Sequence, residues 1–237
     1  MKRKQRKDAQ ETRQRLLAAA SEVFAEKGFW EATHAEICEK AKANTAAVNY
    51  HFGSKENLYV EAWKYSFERS FEAHPADGGV GPEAPAAERL HGRIVSFIRR
   101  VADPDNHEIE IMHKEMANPT GLLAEVLPRV LEPMQRDLRA IVRELLGDGT
   151  SEQQVSFCEM SIMGQCFGPM LHLRHARMGP RTPRPPAPPV KFSVEELADH
   201  VVQFSLAGIA AIREEARKGR KVLNGQHRHG HGHGSKR

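Results

Sequence analysis

From about Thr12 onward, Leu16, Ala20, Val23 and Phe24 recur at intervals of three and four, the period of a helix with one apolar face. Gly28 then reads as a stop, because glycine accepts the left-handed backbone that follows many helices. Thr33, with Glu36 three positions on and Ile37 just beyond, is a capping-box start and predicts a short helix over about 33–40. After the connection Ala41, Lys42, Ala43, Asn44 is a good N-cap for a second short helix over about 44–50. The same spacing predicts helices over about 56–72, 86–102, 106–117, 151–176 and 193–217, the last opened by Ser193 with Glu196. A long segment over about 120–147 holds Pro128 and Pro133 and is expected to kink or break. The Gly- and Pro-containing stretch 78–85 and the Pro-rich stretch 181–189 read as connections. No segment alternates with period two long enough to demand a strand, so the expected fold class is all-α.

Two short helices joined by so tight a turn match the helix-turn-helix plan, in which the second helix lies in the major groove of DNA. The side chains of that second helix suit the role. Asn44, Thr45, Ala46 and Asn49 are small and polar on one side, where a close approach to base edges and phosphates is needed. Val48 and Phe52 can face the first helix and hold the orientation. The bland alternative is an ordinary helix pair within a bundle.

Composition narrows the class. The 237 residues are 40% hydrophobic, enough for one domain of ordinary size plus a small one, and the net charge is a mild +4. That charge is uneven. Lys2, Arg3, Lys4, Arg6, Lys7, Arg13 and Arg15 face only Asp8 and Glu11 in the first fifteen residues, an excess larger than that of the whole chain. This basic arm is expected to be flexible. The three cysteines, Cys38, Cys158 and Cys166, are odd in number and lack metal-type spacing, which argues for a reducing compartment and against a disulfide framework. No apolar stretch follows the N-terminal charges and no run is long enough to span a bilayer, so a cytoplasmic protein without a membrane partner is expected.

Residues 13–63 resemble the DNA-binding domain of the TetR family of transcriptional regulators. The resemblance runs through RQRLLAAASEVFAEKGFWEATHAEICEKA and NTAAVNYHFGSKENLY, and its most specific part is Tyr50, His51 and Phe52 followed by Gly53, Ser54, Lys55 and Glu56. It implies an N-terminal three-helix helix-turn-helix domain and a larger helical ligand-binding and dimerisation domain. It also implies a homodimer on a palindromic double-stranded operator, and a small-molecule effector. The implied DNA-binding residues are Thr33, Asn44, Thr45, Ala46, Asn49, Tyr50, His51 and Lys55, with Lys55 at the family's phosphate-contacting lysine. Two positions depart from the family pattern. Lys42 stands where the turn usually has Gly, so it is expected to carry some strain. Asn49 stands where Tyr is usual, leaving Tyr50 or His51 to supply that phosphate contact. The expected division is a basic flexible arm at 1–11, the DNA-binding domain at 12–55, a regulatory and dimerisation domain at 56–217 and a disordered His-rich tail at 218–237.

The string His113 to Thr120, HKEMANPT, is similar to the (R/K)EM-x-x-PT string of a TetR subgroup with a CecR-like C-terminal domain, which suggests control of transport or drug-resistance genes. An effector pocket is expected among the middle helices, lined by Phe97, Met112, His113, Met116, Met134, Met163, Phe167 and Met170. Each methionine could equally be plain core, and Glu115 is expected at the surface. Val155, Cys158, Ile162, Cys166, Val201, Phe204 and Ile209, on the last two helices, are candidates for the dimer seam.

Other chemistries remain as alternatives. Glu110 with His113 is half of a di-metal signature of helical bundles, but no second Glu-x-x-His accompanies it, and nucleophile and phosphate-loop motifs are absent. No enzyme and no cofactor is therefore expected. His227, His229, His231 and His233 alternate along the tail and could bind a divalent metal, which leaves a metal-responsive regulator as the minor alternative to a ligand-responsive repressor.

Overall fold

The computed structural model describes residues 2–175 and 192–228, with side chains over 6–168 and 192–218. The described residues form helices and connections, without a strand. The helices are α1 (Lys2–Glu31), α2 (His34–Ala41), α3 (Thr45–Phe52), α4 (Lys55–Ala73), α5 (Ala86–Ala102), α6 (Glu108–Ala117), α7 (Val126–Leu146), α8 (Glu152–His175) and α9 (Val194–Arg228). The connection 181–189 and the histidines from His229 onward lie outside the described residues, as do the side chains of Met170 and His227.

α1 opens at Lys2, inside the stretch read from sequence as a flexible arm. No Gly or Pro interrupts residues 2–27, Lys7 pairs with Glu11 one turn on at 3.8 Å, and the Thr12 hydroxyl donates back to the Asp8 carbonyl. Gly28 does break the helix, but with φ 76° and ψ 179° rather than the left-handed conformation, and a final turn through Phe29 and Trp30 follows. The segment 120–147 is helical only from Val126, which places Pro128 in the first turn, where no intrahelical N–H is needed.

By internal packing the chain divides into two units. Unit 1 joins residues 1–75 to 99–133, and its core grows from the apolar face of α1. Leu16, Leu17, Ala20, Val23 and Phe24 meet Ile37 of α2, Val48 and Phe52 of α3, Leu58, Tyr59 and Trp63 of α4, and Ile111 of α6. Burying side chains of this size contributes roughly 1.5–3 kcal/mol each. A polar cluster is also enclosed. Arg100 pairs with Glu108, its Nε donates to Ser70 Oγ at 3.0 Å, and Asn106 Nδ2 donates to the same Ser70 oxygen at 2.9 Å. The Arg100 guanidinium lies 3.6 Å from the centre of the Phe71 ring.

Unit 2 joins residues 76–98 to 134–237. Leu90, Ile94 and Ile98 of α5, Ile141, Val142 and Leu146 of α7, Val155, Ile162 and Cys166 of α8, and Val201, Val202 and Ile209 of α9 form its core. Several residues expected at a dimer seam are thus interior to the unit: Val155, Cys158, Ile162, Cys166, Val201 and Ile209 are all buried within one chain. The apolar side chains that α8 and α9 leave on the surface are Phe157, Met160 and Phe204. The loop before α5 lies so close to that helix that a Cβ on Gly92 would stand 2.3 Å from the Asp77 carbonyl oxygen. Cys38, Cys158 and Cys166 are buried free thiols, and burial pushes Cys166 up to about 12, which keeps it in the unreactive thiol form.

Candidate nucleic-acid interface

α2 begins as its sequence requires. The Thr33 hydroxyl accepts from Glu36 N at 3.3 Å, while Glu36 Oε2 accepts from Thr33 N at 3.1 Å, a reciprocal capping box. The Thr33 hydroxyl is therefore already engaged, although the residue is exposed. Lys27 pairs with Glu36 and holds its carboxyl below the usual range, with Thr33 adding to the effect.

The turn after α2 carries Lys42 at φ 51° and ψ 47°, the one left-handed non-glycine residue among the described residues. Its N–H donates to the Glu39 carbonyl at 3.1 Å, and Ala43 N–H donates to Cys38 O at 2.9 Å, so the left-handed step satisfies carbonyls that the helix end leaves open. A side chain in this conformation costs roughly 1–2 kcal/mol. Glycine removes that strain but adds about 0.5–1 kcal/mol of unfolded-chain entropy. Lys42→Gly is therefore expected to stabilise the protein by about 0.5–1 kcal/mol. A urea unfolding midpoint that stays the same or falls would show that the turn is unstrained.

α3 is held at its start by Asn44, whose Oδ1 accepts from Ala47 N at 2.9 Å. Its inner face buries Val48 and Phe52. Its outer face presents Asn44, Thr45, Ala46, Asn49 and Tyr50, all exposed, with Tyr50 80% accessible. His51 is half-buried, and burial followed by the Arg13 charge lowers its pKa, favouring the neutral ring. Arg13 fastens three elements together: its Nη2 pairs with Glu61 of α4 at 2.8 Å, and its guanidinium lies 5.3 Å from the centre of the Phe52 ring.

Lys55, the first residue of α4, follows the N-cap Ser54. It is half-buried, with Nζ 4.5 Å from the centre of the Phe29 ring, and burial lowers its pKa. The seven other residues read from sequence as DNA-binding lie with it in unit 1, all of them on α3 or at the caps and starts of α2, α3 and α4.

The residues read as effector-binding fall in both units. Met112 and His113 are half-buried in α6 and Met116 is exposed there, all in unit 1. In unit 2 the Phe97 and Phe167 rings meet edge to face at 4.9 Å, Met163 packs on the core and Met134 is half-buried. Glu110 and His113 belong to no group of three metal-type side chains among the described residues.

Glu115, expected at the surface, is buried. Its carboxylate accepts from Tyr59 Oη at 3.0 Å, from Thr120 N and Oγ1 at 2.9 Å, and from Gly121 N at 3.0 Å. Four such donors satisfy the charge without solvent. Burial and the Glu115 carboxylate together push the Tyr59 phenol well up, so it stays a donor. This explains the Glu and Thr of HKEMANPT: they close the chain after α6 and tie it to α4. The sequence offered one signal, a carboxylate followed five residues on by a hydroxyl and then a glycine.

Comparison with known proteins gives the same picture. Residues 16–62 match the model for bacterial regulatory proteins of the tetR family. Residues 86–209, just over half of the chain, match the C-terminal domain of the HTH-type transcriptional dual regulator CecR. The chain is 25% identical over 166 residues to the HTH-type transcriptional dual regulator CecR of Shigella flexneri, covering 66% of this chain and 74% of that protein. It is 30% identical over 124 residues to the HTH-type transcriptional regulator TtgW of Pseudomonas putida, covering 52% of this chain and 88% of that protein. Among solved structures, AibR in complex with isovaleryl coenzyme A and operator DNA superposes with a TM-score of 0.56 at 18% identity, covering 81% of this chain and 97% of the other.

Proposed function

The chain belongs to the TetR family of DNA-binding transcriptional regulators, with a CecR-type C-terminal domain, and on that premise we propose that it is a dimeric, ligand-responsive repressor of transport or drug-resistance genes. Its relatives are regulators rather than enzymes. The observation that carries the proposal is the outer face of α3, a small polar surface oriented by two buried side chains and a satisfied N-cap.

In this proposal Thr45 and Asn49 read base edges in the major groove, while Tyr50 and Lys55 contact phosphates. Residues 12–55 read DNA, the basic residues before them add phosphate contacts, and residues 56–217 sense the effector and pair the two chains. Two copies place their recognition helices on half-sites about 34–36 Å apart. An effector that favours a different setting of α4 misplaces both helices at once, and it shifts the equilibrium only by its differential affinity for the two states. The solved complex of AibR holds an acyl coenzyme A and operator DNA together, which supports a small organic effector for this architecture. No helix among the described residues is long and apolar enough to cross a membrane.

Thr45→Ala and Asn49→Ala are each expected to reduce operator affinity by about 1–3 kcal/mol while leaving affinity for scrambled DNA nearly unchanged. Titrations of both DNAs at one salt concentration provide the check. Equal losses on the two would assign these side chains to the phosphate backbone and remove them from sequence recognition.

A further inference from the structure

Lys55 lays its ammonium over Phe29, a buried ring that sits outside the main run of α1. Phe29 follows Gly28, whose φ of 76° and ψ of 179° is a conformation essentially restricted to glycine. Phe29 in turn packs against Tyr59 at 5.3 Å, and Tyr59 packs edge-on against Phe24 at 4.9 Å. The Tyr59 hydroxyl is bonded to Glu115 of α6. Lys114, the neighbour of Glu115, places its Cβ 3.5 Å from where a Gly28 side chain would begin. α6 therefore touches both the backbone break that directs Phe29 and the ring that backs it.

The geometry points to Phe29 and Tyr59 as positioning residues for the Lys55 ammonium in DNA binding, with Glu115 fixing the Tyr59 ring. A lysine side chain is long and costly to order. An aromatic face beneath its ammonium restricts it through the ring quadrupole, while the donors on the outer side stay available for a phosphate oxygen. The lowered pKa of Lys55, caused by burial, fits a side chain tucked against a ring rather than one extended into water. This inference rests on the proposal that Lys55 contacts phosphate.

The test is a set of titrations with operator and scrambled DNA across several salt concentrations. Lys55→Ala weakens both complexes and flattens the slope of log K against log salt by roughly 0.9. Phe29→Leu weakens both by about threefold to tenfold, and Phe29→Tyr restores binding. In a Lys55→Ala background Phe29→Leu has no further effect. Tyr59→Phe, which keeps the ring but loses the Glu115 bond, gives a smaller loss that also vanishes in that background. In protein with 13C-methylated lysines, the Lys55 resonance is shifted upfield by the ring and returns to the position of the other lysines in Phe29→Leu. If Phe29→Leu weakens binding equally with and without Lys55, the ring acts through the fold and the inference fails, whatever Lys55 does. An unshifted Lys55 resonance in the unaltered protein overturns it too. If Lys55→Ala leaves the salt slope unchanged, the phosphate contact itself is wrong, and the positioning role falls with it.

Discussion

Replacing Glu108 with Ala is expected to destabilise the protein by about 3–5 kcal/mol, the cost of leaving a buried guanidinium without its counter-charge. Arg100 and Glu108 are both about 4% exposed, so neither can recover its hydration when the other is removed. Ser70 and Asn106 would lose order as well, because both bond into the pair. The charges themselves need not be net stabilising: their desolvation offsets most of their mutual attraction. The double replacement Arg100→Met, Glu108→Leu is therefore expected to recover most of the loss. Urea unfolding of the two variants separates the possibilities. A loss below about 1 kcal/mol for Glu108→Ala would mean that water reaches Arg100 in solution. The consequence for regulation is local: the pair and Ser70 fix the end of α5 and the start of α6 onto α4, the helix proposed to carry the response.

A glutamate at Phe204 is expected to leave the protein monomeric and to weaken operator binding by roughly 10²–10⁴-fold, the avidity lost when two half-sites are no longer engaged by one molecule. Phe204 is 62% exposed on α9, and α8, which packs against α9, exposes Phe157 and Met160 at 55% and 68%. Gly164, Gly168 and Gly208 would each meet nothing within 4 Å if given a Cβ, so the surface beside these rings has room for a close helix approach. An aromatic patch of this kind is unfavourable in water and is covered in a four-helix pairing of two copies. Sedimentation of Phe204→Glu, with operator and single half-site titrations, provides the check. A persistent dimer with unchanged operator affinity would move the seam elsewhere. A monomer that still binds a half-site would separate the loss of pairing from damage to α3.

The elements legible in the sequence were those whose cause lies within a few residues. The capping boxes at Thr33 and Glu36 and at Ser193 and Glu196 formed as read, because each joins a side chain to a backbone group three positions away. Lys42 took the positive φ expected of a residue standing in a glycine position, because the turn imposes it whichever residue is present. The inner and outer faces of α3 were readable from period alone, with Val48 and Phe52 inside and Thr45 and Asn49 outside.

Where the decisive partner lies far along the chain, the pattern of one helix was silent or misleading. Glu115 read as surface because a carboxylate is nearly always solvated, and its burial depends on Tyr59, fifty-six positions earlier. The pairing of Arg100 with Glu108 required Ser70 of another helix to complete it. α8 and α9 each carry apolar residues on more than one side, so periodicity could not say which side faces its own core. Packing gave Val155, Ile162 and Val201 to the interior and left Phe157, Met160 and Phe204 outside. The order of residues along the chain thus set the helices, their caps and the DNA-binding motif, since backbone hydrogen bonding and side-chain period act locally. Which charges are enclosed, which ring supports Lys55 and which apolar face remains for a second copy were settled by packing, because burial is a property of where distant segments meet.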